Sequence, residues 1–289
     1  MHILYKGDKM IRKNHNILIT ITLVFISFYY TSKVISISKE NDPIMKEIIK
    51  YKEIIKDTKQ EATEFVDEII PGLNGEEIDV EKSYSKMKKI GKFDKNLLVY
   101  QETYPENTLQ ENYDKYIISG NKSRNNVSII IKINDTSYVE ELLGILNKKN
   151  IKATFFVDKS VFNKSIDLIK LIEFFGNDVE LYSDNYSVYE VNKYSSMLKL
   201  VANDKFSYCL NTTKENETLD NCKTSKLYSI VPSIVSDNYL YNSVKNSLQN
   251  GSIILIENKK SVLRELSPTI NYIEQKGKKI VPLKKLLEE

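Results

Sequence analysis

The chain has 289 residues, 41% of them hydrophobic, and a formal net charge of +3, which suffices for one large or two small packed domains. Residues 1–16 hold Lys6, Lys9, Arg12 and Lys13 against Asp8, leaving 38 basic and 38 acidic side chains in the remainder. That balance argues against nucleic acid as a partner, because binding it calls for a basic surface.

Behind the basic cluster, Ile17–Tyr30 is an apolar run that continues through Val34–Ile37 with only Lys33 interrupting. At about 20 residues it is long enough for one helical crossing of a bilayer. The positive flank orients the amino terminus to the cytoplasm and the bulk of the chain outside. A signal peptide cut near Ser36 or Ser38 is the competing reading, and Met10 is a second candidate start that keeps the positive flank. Residues 1–38 are expected to form a cytoplasmic tail and transmembrane anchor.

Asp42-Pro43 is a helix-start signal. Ile48, Tyr51, Ile55, Thr58, Ala62, Phe65 and Ile69 then alternate three and four apart until Pro71-Gly72, a heptad-like seam. This predicts a helical stalk over 39–71, packed on its own domain or self-associating through 42–70. Residues 72–120 read as a small α+β extension. Its helix runs from Asp79 to about Lys89 with Val80, Tyr84 and Met87 on one face and Gly91 in the left-handed position that follows. Extended pieces are expected at Leu97–Tyr100 and Tyr116–Ser119.

The domain expected over 121–289 is organised around Val127–Asp158. Val127–Ile133 is an apolar run of the kind buried on both faces of a parallel sheet. Tyr138, Leu142, Leu143 and Leu146 keep helical spacing, with Thr136 or Ser137 as cap, and Lys152–Val157 is the next strand. Further helices are predicted at Val161–Phe175, Val188–Val201 and Ser261–Lys276. Strands are predicted at Asp178–Tyr182, Phe206–Leu210, Lys226–Ile230, Ser252–Glu257 and Lys279–Pro282. This alternation gives an α/β fold with a mainly parallel sheet. Cys209 and Cys222 are the only cysteines. They flank a polar loop, Asn211–Asn221, and fit a disulfide hairpin in an oxidising compartment.

In such sheets ligands sit beyond the carboxyl ends of the strands, here Lys132, Ile133, Asn134 and Asp135. Ala153-Thr154-Phe155-Phe156 in the next strand, Gly176–Tyr186, and the strand ending Leu255-Ile256-Glu257 complete a pattern that resembles the polysaccharide deacetylases with a NodB homology domain (carbohydrate esterase family four). The resemblance covers roughly residues 121–287 and implies a distorted, incomplete (β/α) barrel. It also implies what has been lost. Against the family's TFDDG motif, Lys132 stands at the catalytic-base Asp and Ile133 at the metal-binding Asp. Tyr182 and Tyr186 take the places of the two metal-binding histidines in the family's GHEIGNHTYSH-like segment, and Glu257 takes that of the catalytic-acid His. The family's Arg-Pro-Pro-Tyr loop would fall near Phe206-Ser207-Tyr208-Cys209, without arginine, and the chain has no Trp.

A family enzyme uses a metal to activate water, an Asp to accept its proton and a His to protonate the leaving amine. His2 and His15 are the only histidines and precede the membrane segment. No catalytic residue, metal ligand or cofactor is therefore assigned. Asp135, Asp178, Glu180, Asp184 and Glu257 could in principle form an all-oxygen cation site, or be solvated loop residues. Lys132, Asp135, Tyr182, Tyr186 and Glu257 are the candidate ligand-binding residues, with Tyr208 and Tyr228 as further aromatic surfaces suited to sugars. Lys132 is expected either to snorkel to water or to pair with Glu257 in the place of the lost cation. The expected function is a membrane-anchored, extracytoplasmic, deacetylase-like pseudoenzyme that binds cell-wall glycan or serves a structural role in the envelope. The alternative is an active deacetylase hydrolysing N-acetyl bonds with displaced ligands.

Overall fold

The structure, a computed structural model, describes residues 4–55, 58–201, 207–236 and 239–289. It divides into two compact units, one of residues 1–58 and 76–103, the other of residues 59–75 and 104–289.

In the first unit, helix α1 (Leu4–Glu40) contains the stretch Thr20–Glu40, long and apolar enough to cross a membrane and unburied by the protein. Helix α2 (Pro43–Ile54) starts as its sequence predicts: the Asp42 carboxylate accepts the Ile44 N–H at 2.9 Å and Pro43 occupies the first turn. Helix α3 (Val80–Lys88) is capped by Asp79, which accepts the Lys82 N–H at 2.9 Å, and Gly91 follows with φ +80°. Ile44, Ile48, Ile78 and Met87 form the core between these helices and a short sheet of Gly75–Ile78 and Tyr100–Thr103.

The stalk expected over 39–71 is corrected here, because α2 ends at Ile54 and residues farther along form the strands Thr63–Glu64 and Glu68–Ile70. The seam positions are consumed internally: Ile48 is buried in the first unit, and Ala62 and Ile69 in the second.

The second unit is a curled, incomplete barrel. Its strands lie in the order Thr63–Glu64, Glu68–Ile70, Tyr116–Ile117, Tyr228–Ile230, Tyr208–Leu210, Asp178–Tyr182, Thr154–Val157, Asn126–Ile133, Ile253–Glu257, Ile234–Val235, with Lys279–Ile280 also pairing Asn126–Ile133. Apart from the antiparallel pair at 63–64 and 68–70, neighbours run parallel. Strand periodicity sorts the side chains. Val127, Ile129, Ile131 and Ile133 meet Leu142, Leu146, Ile270 and Ile273 of the covering helices. Ile130, Phe156, Leu210 and Leu255 face inward, where Leu283, Leu286 and Leu287 from the carboxyl terminus join them. A glycine is required at one seam: Gly251 has φ +79°, and a Cβ there would lie 2.2 Å from the Gly120 carbonyl oxygen.

Two local readings change. The predicted helix Val161–Phe175 is broken into Lys159–Lys164 and Ile166–Phe174. The predicted polar loop after Cys209 contains the helix Asn216–Thr224, which carries Cys222. The disulfide between Cys209 and Cys222, with Cα atoms 6.3 Å apart, therefore joins a strand to a helix instead of closing a hairpin.

Candidate functional site

At the carboxyl ends of the barrel strands, the inward positions are Lys132, Tyr182 and Glu257. Lys132 lies in register with Phe156 on one side and Glu257 on the other. Its ammonium does not pair with Glu257. It sits 3.8 Å from the centroid of the Tyr182 ring, while Glu257 forms its ion pair with Lys259 two residues on. The expected Lys132–Glu257 pair is thus replaced by a cation–π contact, in which the negative ring face accepts the charge of a partly buried ammonium. The Tyr182 hydroxyl donates to Asp184 Oδ2 at 2.9 Å, and Asp184 Oδ1 accepts the Thr212 N–H at 3.0 Å. Lysine, ring, phenol and carboxylate make one connected unit across strand ends 132, 182 and 212.

Tyr186 is 3% exposed. Its hydroxyl donates to Asp158 Oδ2 at 3.0 Å and accepts the Lys159 N–H at 2.5 Å, and the Lys159 ammonium lies 4.7 Å above its ring. It presents no open face to a sugar, so the aromatic contact at this mouth falls to Tyr182. Asp135 closes the loop after its strand. Its Oδ1 accepts the Ser137 N–H at 2.7 Å and the Asn258 amide at 3.1 Å, and the Ser137 N–H holds its carboxyl below the ordinary range. The caps expected at Thr136 or Ser137 are not used; Tyr138, at φ 57°, precedes the helix Val139–Lys148.

Tyr208 and Tyr228 are corrected in place. They are the first residues of their strands and belong to the amino-terminal mouth, opposite Lys132. There Tyr113 stacks on Tyr228 with centroids 4.2 Å apart. Tyr104, Gln110, Tyr208, Tyr228 and Glu289 line a cavity of about 510 Å³. Phe206 of the expected Arg-Pro-Pro-Tyr counterpart lies outside the described residues.

The metal-site positions do not fit a divalent ion. Ile133 has no donor atom and is fully buried among helix-facing apolar groups. The Tyr182 and Tyr186 phenols are pushed well above their usual range, chiefly by burial and then, for Tyr182, by the Asp184 charge, so both stay neutral and are poor ligands. Lys132 places a positive charge at the same mouth. The five carboxylates that might have served instead are dispersed. Asp178 opens its strand at the far mouth and Glu180 accepts the N–H groups of Ser207 and Tyr208; among the described residues no three metal-binding side chains converge. Sequence reading missed Asp158, Thr212 and Asn258. Their shared signal is position, each one or two residues beyond a strand's carboxyl end.

No family model matches the chain. The "Uncharacterized protein YlxY" of Bacillus subtilis is 30% identical over 156 residues, 53% of this chain, and the match spans about half (48%) of that protein's length. Wild-type BA3943 of Bacillus anthracis, described as a CE4 family pseudoenzyme, superposes with a TM-score of 0.67 at 23% identity over 86% of this chain and 96% of its own. A mutant of BA3943 described as having restored enzymatic activity gives the same TM-score at 23% identity, over 85% and 98%. The Bc1960 peptidoglycan N-acetylglucosamine deacetylase gives 0.55 at 18% identity, over 64% and 97%. Together with the parallel half-barrel, these likenesses show that the chain has the fold of the polysaccharide deacetylases of carbohydrate esterase family 4.

Proposed function

We propose that the protein is a catalytically inactive, deacetylase-like component of the cell envelope, anchored by α1 and holding its barrel outside the membrane, where the mouth around Lys132 and Tyr182 binds a wall glycan. The observation that carries the reading is the Lys132 ammonium resting on the Tyr182 ring, a cation and a neutral phenol where the reaction needs a base and a metal. The likeness to a protein described as a pseudoenzyme supports inactivity. The apolar stretch Thr20–Glu40 and the Cys209–Cys222 disulfide support an extracytoplasmic barrel. A purely structural role and self-association through 42–70 remain proposals of the same class, the second weakened by the burial of Ile48 and Ile69.

The test uses detergent-purified full chain, assayed for retained divalent metal, for acetate release from N-acetylated wall glycan, and for sedimentation with insoluble glycan. The expected result is no stoichiometric metal, no acetate, and co-sedimentation that Tyr182→Ala reduces at least tenfold. Metal-dependent acetate release by the unaltered chain would overturn inactivity and favour the alternative, an active deacetylase with displaced ligands. Pelleting of the parent chain to the same extent without glycan as with it would remove the binding role.

A further inference from the structure

The first unit presents a surface that the glycan reading does not use. Helix α3 is tied at both ends to residues at the end of the apolar stretch of α1 and just beyond it. Glu81 in its first turn forms an ion pair with Lys39. Tyr84 donates to Asp42 Oδ2 at 3.0 Å and lies under the Lys39 ammonium, 5.2 Å from the ring centroid. Lys88 in its last turn pairs with Asp42. Since the apolar stretch ends at Glu40, a helix fastened at 81, 84 and 88 to residues 39 and 42 is held beside the end of that stretch. Its length of about 13 Å then runs within a turn or two of the level where the apolar stretch stops.

The exposed end of α3 and the turn after it carry lysines that the fold leaves unpaired. Lys82 is held by Asp79 and Lys95 rests 4.9 Å over the Tyr51 ring. Lys86, Lys89 and Lys92 are exposed, and among the described residues none has a carboxylate within ion-pair distance. Between them Ile90 is 56% exposed, projecting from the turn that Gly91 reverses at φ +80°. Three unpaired cations around one bare aliphatic side chain suit an interface that is anionic at its surface and apolar just beneath. A hydrated wall polyanion would engage the lysines but gives Ile90 nothing to bury in.

We infer that the turn Lys86–Lys92 is a second, peripheral membrane contact that docks on anionic phospholipid headgroups beside α1. This rests on the anchor reading proposed above. With α1 embedded, the turn meets the surface at high effective concentration, so weak contacts are enough to set the unit's orientation.

The test uses full chain carrying Ile90→Cys, labelled with an environment-sensitive dye; Cys209 and Cys222 are paired, so the dye enters at 90 alone. The protein is reconstituted in vesicles of neutral phosphatidylcholine, or of phosphatidylcholine with phosphatidylglycerol, each with and without brominated acyl chains. Flotation at alkaline pH reports α1 separately. The expected result is flotation in both compositions, and bromine quenching at least threefold stronger with phosphatidylglycerol. Raised salt, or the combined Lys86→Gln, Lys89→Gln and Lys92→Gln variant, should return quenching to the neutral-lipid level. A chain that floats while the dye is unquenched, or is quenched equally in both lipids, overturns the inference and leaves the anchor standing. A chain that fails to float removes both.

Discussion

Tyr182 holds two partners at once, the Lys132 ammonium on its face and Asp184 at its hydroxyl. A cation–π contact of this kind contributes about 0.5–2 kcal/mol when partly desolvated. In a double-mutant cycle from denaturant melts, Lys132→Met and Tyr182→Leu should therefore couple by about that amount. The Lys132→Met and Glu257→Gln pair should couple less, because Glu257 is engaged by Lys259. A larger coupling to Glu257 would restore the salt bridge that the residue pattern suggested. Asp135 makes a pH-dependent prediction. Its folded pKa lies below the unfolded value, so its contribution is present above the unfolded pKa, about 3.9, and is lost as pH falls through the folded value. Asp135→Ala should destabilise the barrel by about 1 kcal/mol at pH 7, the worth of its hydrogen bond to Ser137. The gap between variant and parent should shrink towards pH 3 in urea melts.

At the scale of elements, the barrel was legible where burial on both sides forces a continuous apolar run, as in Val127–Ile133, and where Ala153–Phe156 fixes the register of the next strand. The stalk was over-read because Ile48, Tyr51 and Ile55 continue by coincidence of spacing into Ala62 and Ile69, which are strand-side residues of the other unit. Nothing in a three-four spacing marks the change of period. Tyr208 and Tyr228 were read too far along their strands because each strand begins two residues later than its apolar pattern, which turns an expected middle position into a start. The cysteine pair was legible as a pair but not as a strand-to-helix link, since Asn216–Thr224 is too polar to read as helix. That link makes its own prediction. Both cysteines are fully buried, so alkylation after mild reductant should trail unfolding. Cys209→Ser with Cys222→Ser should lower barrel stability by about 3 kcal/mol, the chain-entropy value for a loop of this size, seen as a lower midpoint in denaturant.

For the whole molecule, the proposed inactivity can be separated from simple loss of metal by asking what each state of the site does to stability. A ligand that binds only the folded protein raises its melting temperature with concentration. The parent chain, with Ile133, Tyr182 and Tyr186 at the ligand positions, should show no zinc-dependent shift beyond that of a buffer control. The variant Ile133→Asp, Tyr182→His and Tyr186→His, with Lys132→Asp to remove the opposing charge, supplies the donor types that bind such an ion. Without metal it should be less stable by several kcal/mol. A carboxylate would replace a fully buried isoleucine, and the hydrogen bonds of Tyr186 to Asp158 and Lys159 would be lost. Zinc should recover part of that loss by pairing the buried charges. A thermal shift by zinc in the parent would mean that displaced carboxylates gather a metal after all. A variant destabilised but indifferent to zinc would mean that the strand ends around Lys132 and Tyr182 have moved away from ligand geometry, so that the loss of the site extends beyond its side chains to its backbone.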